Sequence, residues 1–210
     1  MRRVAAIFDV DQTLVQGYTE RLFFRFLVRH ALLSLPQALA YLGHLAVNPQ
    51  ARFRDKGYLA GLTVSEVLNL ARQCYQEEIA PRVSRRGISC VMEHRDSGHA
   101  VILLTGSLSF LLLPLKEELG ADWLIATELG RDNGRFTGQI QGLHPRGENK
   151  ARLLSELALG QGLDLEGSYA YGDHIEDQHL FRSIGNPVAV NPSWRLKRQA
   201  RRQRWPIRYF

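Results

Sequence analysis

Cysteine is scarce: Cys74 and Cys90 are the only two among 210 residues. Two thiols make neither a disulfide framework nor a zinc site, so a reducing cytoplasm is the expected compartment. Long apolar runs are missing as well. Met1-Arg2-Arg3 leads into Val4–Phe8, but that run stops after five residues at Asp9, too short for the apolar region of a secretory signal. The most lipophilic stretch, Leu22–Val47, is broken by Arg25, Arg29, His30, Pro36, Gln37 and His44. A membrane-spanning helix needs about 20 mostly apolar residues without such interruptions. No internal period is present, which excludes repeat and collagen-like architectures. Acids are absent after Asp177, while eight bases remain: Arg182, Arg195, Lys197, Arg198, Arg201, Arg202, Arg204 and Arg208. The net charge is +6, and without those eight bases residues 1–177 carry −2. The basic balance therefore belongs to a terminal segment, read as a solvated helix face. A membrane surface is its alternative partner. Nucleic acid is not expected, because no stacked aromatic platform accompanies the bases.

What is present is a core-building composition, 45% hydrophobic and 23% charged, enough for one large domain or a core with an insertion. Val4–Phe8 reads as a buried parallel strand ending in Asp-Val-Asp. Further strands are expected at His99–Leu104, Trp123–Ala126, Ser168–Tyr171 and Pro187–Val190. Helices are expected at Arg85–Ser97, Leu108–Leu119, Lys150–Ala158, Glu176–Ile184 and Trp194–Gln203. Asn133-Gly134 between β-rich flanks predicts a hairpin. Between the first strand and Pro81 the chain reads as helical throughout: Thr19–Ala46 with a break near Ser34-Leu35-Pro36, Gln50–Ala60, and a helix to Ile79. Thr63 and Glu66 form the capping box of that last helix. Alternating strands and helices predict an α/β fold with a Rossmann-like parallel sheet. Residues 17–81 are expected to be an all-helical cap, inserted into a core of residues 1–16 and 82–210.

In open α/β sheets ligands bind beyond the carboxyl ends of the strands. Those ends carry Asp9-Val10-Asp11-Gln12-Thr13, Thr105-Gly106-Ser107 and Gly172-Asp173, with Asp177 four residues on. Lys150 opens a helix. Taken singly, each has a bland reading as turn, cap or solvated residue. Together they crowd carboxylates that repel one another unless a hard divalent cation with oxygen ligands, usually Mg²⁺, sits among them. A helix N-terminus with a hydroxyl suits a phosphate. Metal, phosphate cradle, Lys and paired Asp specify phosphoryl transfer, with one Asp attacking phosphorus and the other handling the leaving group's proton.

Four motifs resemble the haloacid dehalogenase superfamily of phosphatases: Asp9-Val10-Asp11-Gln12-Thr13-Leu14-Val15, Leu104-Thr105-Gly106-Ser107, Gly147-Glu148-Asn149-Lys150, and Gly172-Asp173-His174-Ile175-Glu176-Asp177. The cap between the first two, and the hairpin before the Lys, are similar to the phosphoserine phosphatase-like branch. The resemblance implies a phosphoric monoester hydrolase. Asp9 would be the nucleophile that becomes an aspartyl-phosphate, and Asp11 the general acid and base. Thr105, Gly106 and Lys150 would bind the phosphoryl group. Mg²⁺ would be held by Asp9, the Asp11 backbone carbonyl and Asp173, with Asp177 nearby. Substrate selection would fall to Tyr18, Glu20 and Lys56 in the cap. Lys56 stands where that branch carries an Arg, and Glu176 where its fourth motif usually has Asn. The expected substrate is a small phosphomonoester, phosphoserine-like, with a lipid-like, choline-type or histidinol-type phosphate as alternatives. The apolar residues Leu22, Phe23, Phe24, Phe26 and Leu27 read as cap core, or else as a greasy pocket for the lipid-like case. Two other classes compete: a non-catalytic phosphate-binding regulatory domain, against which the complete set of acids speaks, and a receiver domain. The latter needs an acceptor Asp at the end of the third strand, where the sequence has Ile125-Ala126-Thr127-Glu128.

Overall fold

The computed structural model describes residues 2–33, 35–48, 50 and 56–210. Its centre is a seven-stranded sheet in the order β4-β3-β2-β1-β5-β6-β7. The strands are β1 (Arg3–Phe8), β2 (Ala100–Leu108), β3 (Trp123–Asp132), β4 (Arg135–Gln141), β5 (Leu163–Gly172), β6 (Asn186–Val190) and β7 (Ile207–Arg208). All neighbours are parallel except β3 and β4, which form the expected hairpin. Asn133 and Gly134 both take positive φ, 47° and 75°, the backbone that a two-residue hairpin turn requires.

Successive strand residues point to opposite faces. On β1, Ala6 and Phe8 face one core and Ala5 and Ile7 the other, and all four are fully buried. The first face packs on α1 (Thr19–Arg29), α3 (Val64–Cys74), α4 (Arg85–Asp96) and α5 (Ser109–Leu119). The second packs on α6 (Glu148–Gln161), the single turn α7 (Gln178–Phe181) and α8 (Trp194–Gln203). In α8 Leu196 and Ala200 are buried, while Arg195, Arg198, Arg201 and Arg202 are exposed.

Several boundaries differ from expectation for local reasons. Helix α1 ends at Arg29, Ala31 adopts φ 57°, and α2 (Leu35–Val47) starts afresh with Pro36 in its first turn, where a missing N–H costs nothing. Thr63 is the N-cap of α3, but its side chain makes no capping hydrogen bond. Residues 51–55 of the expected helix Gln50–Ala60 lie outside the described residues, and Gly57–Leu59 is a 3₁₀ turn. Glu176–Ile184 is replaced by a 3₁₀ turn, Ile175–Asp177, followed by α7. Strand β3 runs on to Asp132, because its distal half pairs with β4 instead of the parallel sheet.

The outer edge of β4 is occupied. Lys56 N–H donates to Gly138 O at 2.6 Å, Gly61 to Phe136 O at 2.8 Å, Phe136 to Leu62 O at 3.0 Å and Val64 to Gly134 O at 2.9 Å. Residues 56–64 thus use hydrogen-bonding groups that an edge strand otherwise leaves unpaired. The buried Phe136 packs on Phe110, which packs in turn on Phe23 of α1. Among the described residues no helix is long and apolar enough to cross a membrane.

Candidate active site

The carboxyl end of β1 turns sharply. Val10 O accepts from the N–H groups of Thr13, Leu14 and Val15, and Gln12 takes φ 61°. This tight loop holds Asp9 over the sheet, with its N–H donating to Tyr171 O at 2.9 Å. Asp9 is buried and its carboxylate lies 3.0 Å from Lys150 Nζ. The same ammonium donates to Asp177 Oδ1 at 2.8 Å. Asp9, Asp173 and Asp177 each offer a carboxylate oxygen within 4.8 Å of the others. Asp177 reaches this position because residue 172 is Gly: a Cβ there would stand 2.6 Å from Asp177 Oδ2. That oxygen also accepts from His174 N–H at 3.0 Å.

Three carboxylates around one ammonium leave an excess of two negative charges when all are ionised. Burial pushes the Asp9 carboxyl up to about 7, with Lys150 opposing and Asp177 adding to the rise. Asp173 is pushed up to about 8 by burial and then by Asp9 and Asp177. Burial alone would lower Lys150, but Asp177 and Asp9 outweigh it and hold the ammonium above its usual range. An all-oxygen donor set with two uncompensated charges fits one hard divalent cation such as Mg²⁺.

Asp11 sits beside this cluster in a separate hydrogen-bonded pocket. Its Oδ1 accepts from Thr19 N–H at 3.0 Å and its Oδ2 from Ser107 Oγ at 2.7 Å. Thr19 Oγ1 lies 2.8 Å from both Asp11 Oδ1 and Ser107 Oγ and donates to one of them. Burial raises the Asp11 pKa, opposed by the bonds from Ser107 and Thr19. A carboxyl held above its ordinary range suits proton donation to a leaving group. Thr105 is buried on β2, and its Oγ1 accepts from Ser107 N–H at 3.2 Å. Accepting that bond leaves the Thr105 proton available to donate elsewhere.

Of the three selection candidates, two meet. Lys56 is buried, and its Nζ donates to Glu20 Oε2 at 2.7 Å, while Tyr58 OH reaches Glu20 Oε1 at 3.3 Å. Tyr18 stands apart, exposed, with the Arg21 guanidinium 4.5 Å over its ring. Phe23, Phe26 and Leu27 are core. A groove of about 450 Å³ runs between α1 and α2, lined by Leu22, Phe24, Val28, Ala38, Leu39 and Leu42 among others, and by none of the motif residues.

A family model described as haloacid dehalogenase-like hydrolase matches residues 6–182, a span that includes all four motifs. The chain belongs to this hydrolase family. It is similar to phosphoserine phosphatase SerB1 of Mycobacterium tuberculosis, 32% identical over 98% of this chain and 70% of the relative. It is also similar to a histidinol-phosphatase of Neisseria meningitidis serogroup C, 27% identical over 98% of each. Among solved structures, a protein of unknown function from Bordetella pertussis Tohama I matches with a TM-score of 0.88 and 27% identity, covering 99% of this chain and 98% of that one.

Within this hydrolase the structure also places residues that the motif reading passed over. Arg146, just before the third motif, grips Glu176 of the fourth, with Nη2 2.6 Å from Oε1 and Nε on the other oxygen. The departure at Glu176 therefore has a partner 30 residues away. His144 packs on Gly106, and Thr127 hydrogen-bonds both. Thr19, eight residues beyond Asp11, completes that carboxylate's pocket. Each is an ordinary polar residue in the sequence, and only tertiary contact gives it a place.

Proposed function

We propose that the protein is a Mg²⁺-dependent phosphomonoesterase acting on a small organic phosphate through an aspartyl-phosphate. One observation carries the reading: Asp9, Asp173, Asp177 and Lys150 converge at one sheet rim, with Asp11 held separately two residues on. Asp9 attacks phosphorus and the bond to the leaving oxygen breaks as Asp11 delivers a proton to it. Asp11 then takes a proton from water, which attacks the aspartyl-phosphate and releases phosphate and free Asp9. The Thr105 hydroxyl, the Gly106 N–H and Lys150 hold the phosphoryl oxygens. Asp9, the Asp11 carbonyl and Asp173 would hold Mg²⁺, with Asp177 beside them. When bound, the cation offsets the repulsion between the attacking carboxylate and the phosphate. Residues 17–81 act as a cap on a core of residues 1–16 and 82–210. The SerB1 and histidinol-phosphatase relatives support a polar metabolite, and the apolar groove's separation from the motif residues does not favour a lipid-like one.

Steady turnover of p-nitrophenyl phosphate with Mg²⁺, lost on chelation and regained on Mg²⁺ addition, tests the class. A chain that binds phosphate but shows no turnover under any metal would be the regulatory domain instead. Metal binding should also show in stability. Asp9 and Asp173 have carboxyls raised in the folded state to about 7 and about 8, so their contribution is full only below about pH 4 and is lost progressively from there up to about pH 8. The metal-free protein should therefore soften across that window, and Mg²⁺ should restore it. At about 100 times its Kd, Mg²⁺ adds about 2.7 kcal/mol, on the order of 5–10 °C in Tm for a chain of this size. The gain should be larger at pH 8 than at pH 6 in melts with and without Mg²⁺. Equal gains at both pH values would contradict carboxylate ligation.

For substrate choice, Lys56 and Glu20 form the cap-side ion pair that reads charged groups beyond the phosphate. Lys56→Ala should raise KM for phosphoserine by roughly 10–100-fold, the range of one charged hydrogen bond, and change p-nitrophenyl phosphate little. Equal losses on both substrates would give Lys56 a structural role only.

A further inference from the structure

Thr127 on β3 and His144 after β4 lie outside all four motifs. Thr127 is fully buried, and its Oγ1 lies 2.7 Å from Gly106 O and 2.8 Å from His144 Nδ1. A carbonyl can only accept, so the single Thr127 proton goes to Gly106. His144 must then donate from Nδ1, which fixes its tautomer. The ring is packed where a Gly106 side chain would be, its Cε1 and Nε2 3.3 and 3.6 Å from the position of a Cβ there. Burial, with Lys56 and Arg146, lowers the His144 pKa to about 4, and Nδ1 keeps its proton in either charge state. On the far side of the same peptide, Ser107 N–H donates to Thr105 Oγ1 and Ser107 Oγ to Asp11.

We infer that Thr127 and His144 are positioning residues: their relay clamps the Gly106–Ser107 peptide so that the Thr105 hydroxyl and the Gly106 N–H face the phosphoryl oxygens. The inference rests on reading Thr105 and Gly106 as the phosphoryl cradle. It also ties the cradle to the β3–β4 hairpin, the element along which residues 56–64 run.

Thr127→Val keeps the volume and removes the hydroxyl, whereas Thr127→Ser keeps the hydroxyl and removes a methyl. With p-nitrophenyl phosphate and Mg²⁺, Thr127→Val should lower kcat/KM and weaken inhibition by inorganic phosphate, each on the order of tenfold. Thr127→Ser should stay within about threefold of wild type. A packing role predicts the reverse order, and that order, or a Thr127→Val protein indistinguishable from wild type, overturns the inference. If Thr127→Val does not fold, His144→Phe against His144→Asn replaces it. The amide should preserve phosphate inhibition better than the ring without a donor, and the opposite ranking counts against the relay. Asp9→Asn, assayed alongside, separates the two levels. Turnover by that variant would remove the aspartyl-phosphate mechanism on which the cradle reading rests, whereas a dead Asp9→Asn beside an unaffected Thr127→Val would remove only the relay.

Discussion

Asp9→Asn is expected to abolish turnover, by roughly 10⁴-fold or more, the scale seen when a covalent nucleophile is removed, while leaving the fold intact. A carboxamide cannot form the proposed aspartyl-phosphate, and it offers a neutral oxygen in place of an anionic one to the proposed cation. The stability effect has a definite sign. Burial and Asp177 hold the Asp9 carboxyl up to about 7, so at pH 8 its ionised form works against folding. Replacing it by a neutral group should leave the metal-free Tm at pH 8 equal to wild type or above it, and the Mg²⁺-induced gain should shrink. Acid-quenched protein should carry no phosphate after mixing with substrate. A variant that turns over near the wild-type rate, or that still traps phosphate, would sink the assignment of Asp9 as nucleophile.

Asp11→Asn should keep phosphate inhibition and slow both half-reactions by about 10²–10⁴-fold, the range for lost general acid–base help. The asparagine fits the pocket: its oxygen still accepts from Thr19 N–H, and the Ser107 hydroxyl can turn to accept from its amide. The loss should depend on the leaving group. In single-turnover phosphorylation, p-nitrophenyl phosphate should suffer less than an alkyl phosphate, because nitrophenolate leaves without a proton. Equal losses for the two substrates would contradict the role of Asp11 as acid.

Much of the frame was legible because it rests on local chemistry. Val4–Phe8 is apolar at every position, as a strand covered on both faces must be, and β1 is buried over its last four residues. The hairpin follows from the positive φ that Asn133 and Gly134 tolerate. Helix α8 occupies Trp194–Gln203 as read, because Leu196 and Ala200 are its inward positions. Strand β7 was not legible. It is two residues long and exists because Ile207 and Arg208 pair with the free edge of β6.

The site divides in the same way. That Asp9, Thr105, Lys150 and Asp173 stand near one rim follows from their places at strand ends and helix starts, since a parallel α/β sheet puts all those ends on one side. Which groups share a proton, a cation or a peptide plane does not follow from chain position. Lys56 finds Glu20 across 36 residues, Arg146 finds Glu176 across 30, and Thr127 meets Gly106 across 21. Periodicity and turn chemistry are properties of neighbouring residues, so the strands, the hairpin and the roster of carboxylates near one lysine could be read along the chain. Packing alone brings Asp177 and Asp9 to the same Lys150, Thr19 and Ser107 to Asp11, and Thr127 with His144 to the Gly106 carbonyl. Hydrogen bonds and ion pairs act over about 3 Å, and which side chains come that close is set by how the elements pack.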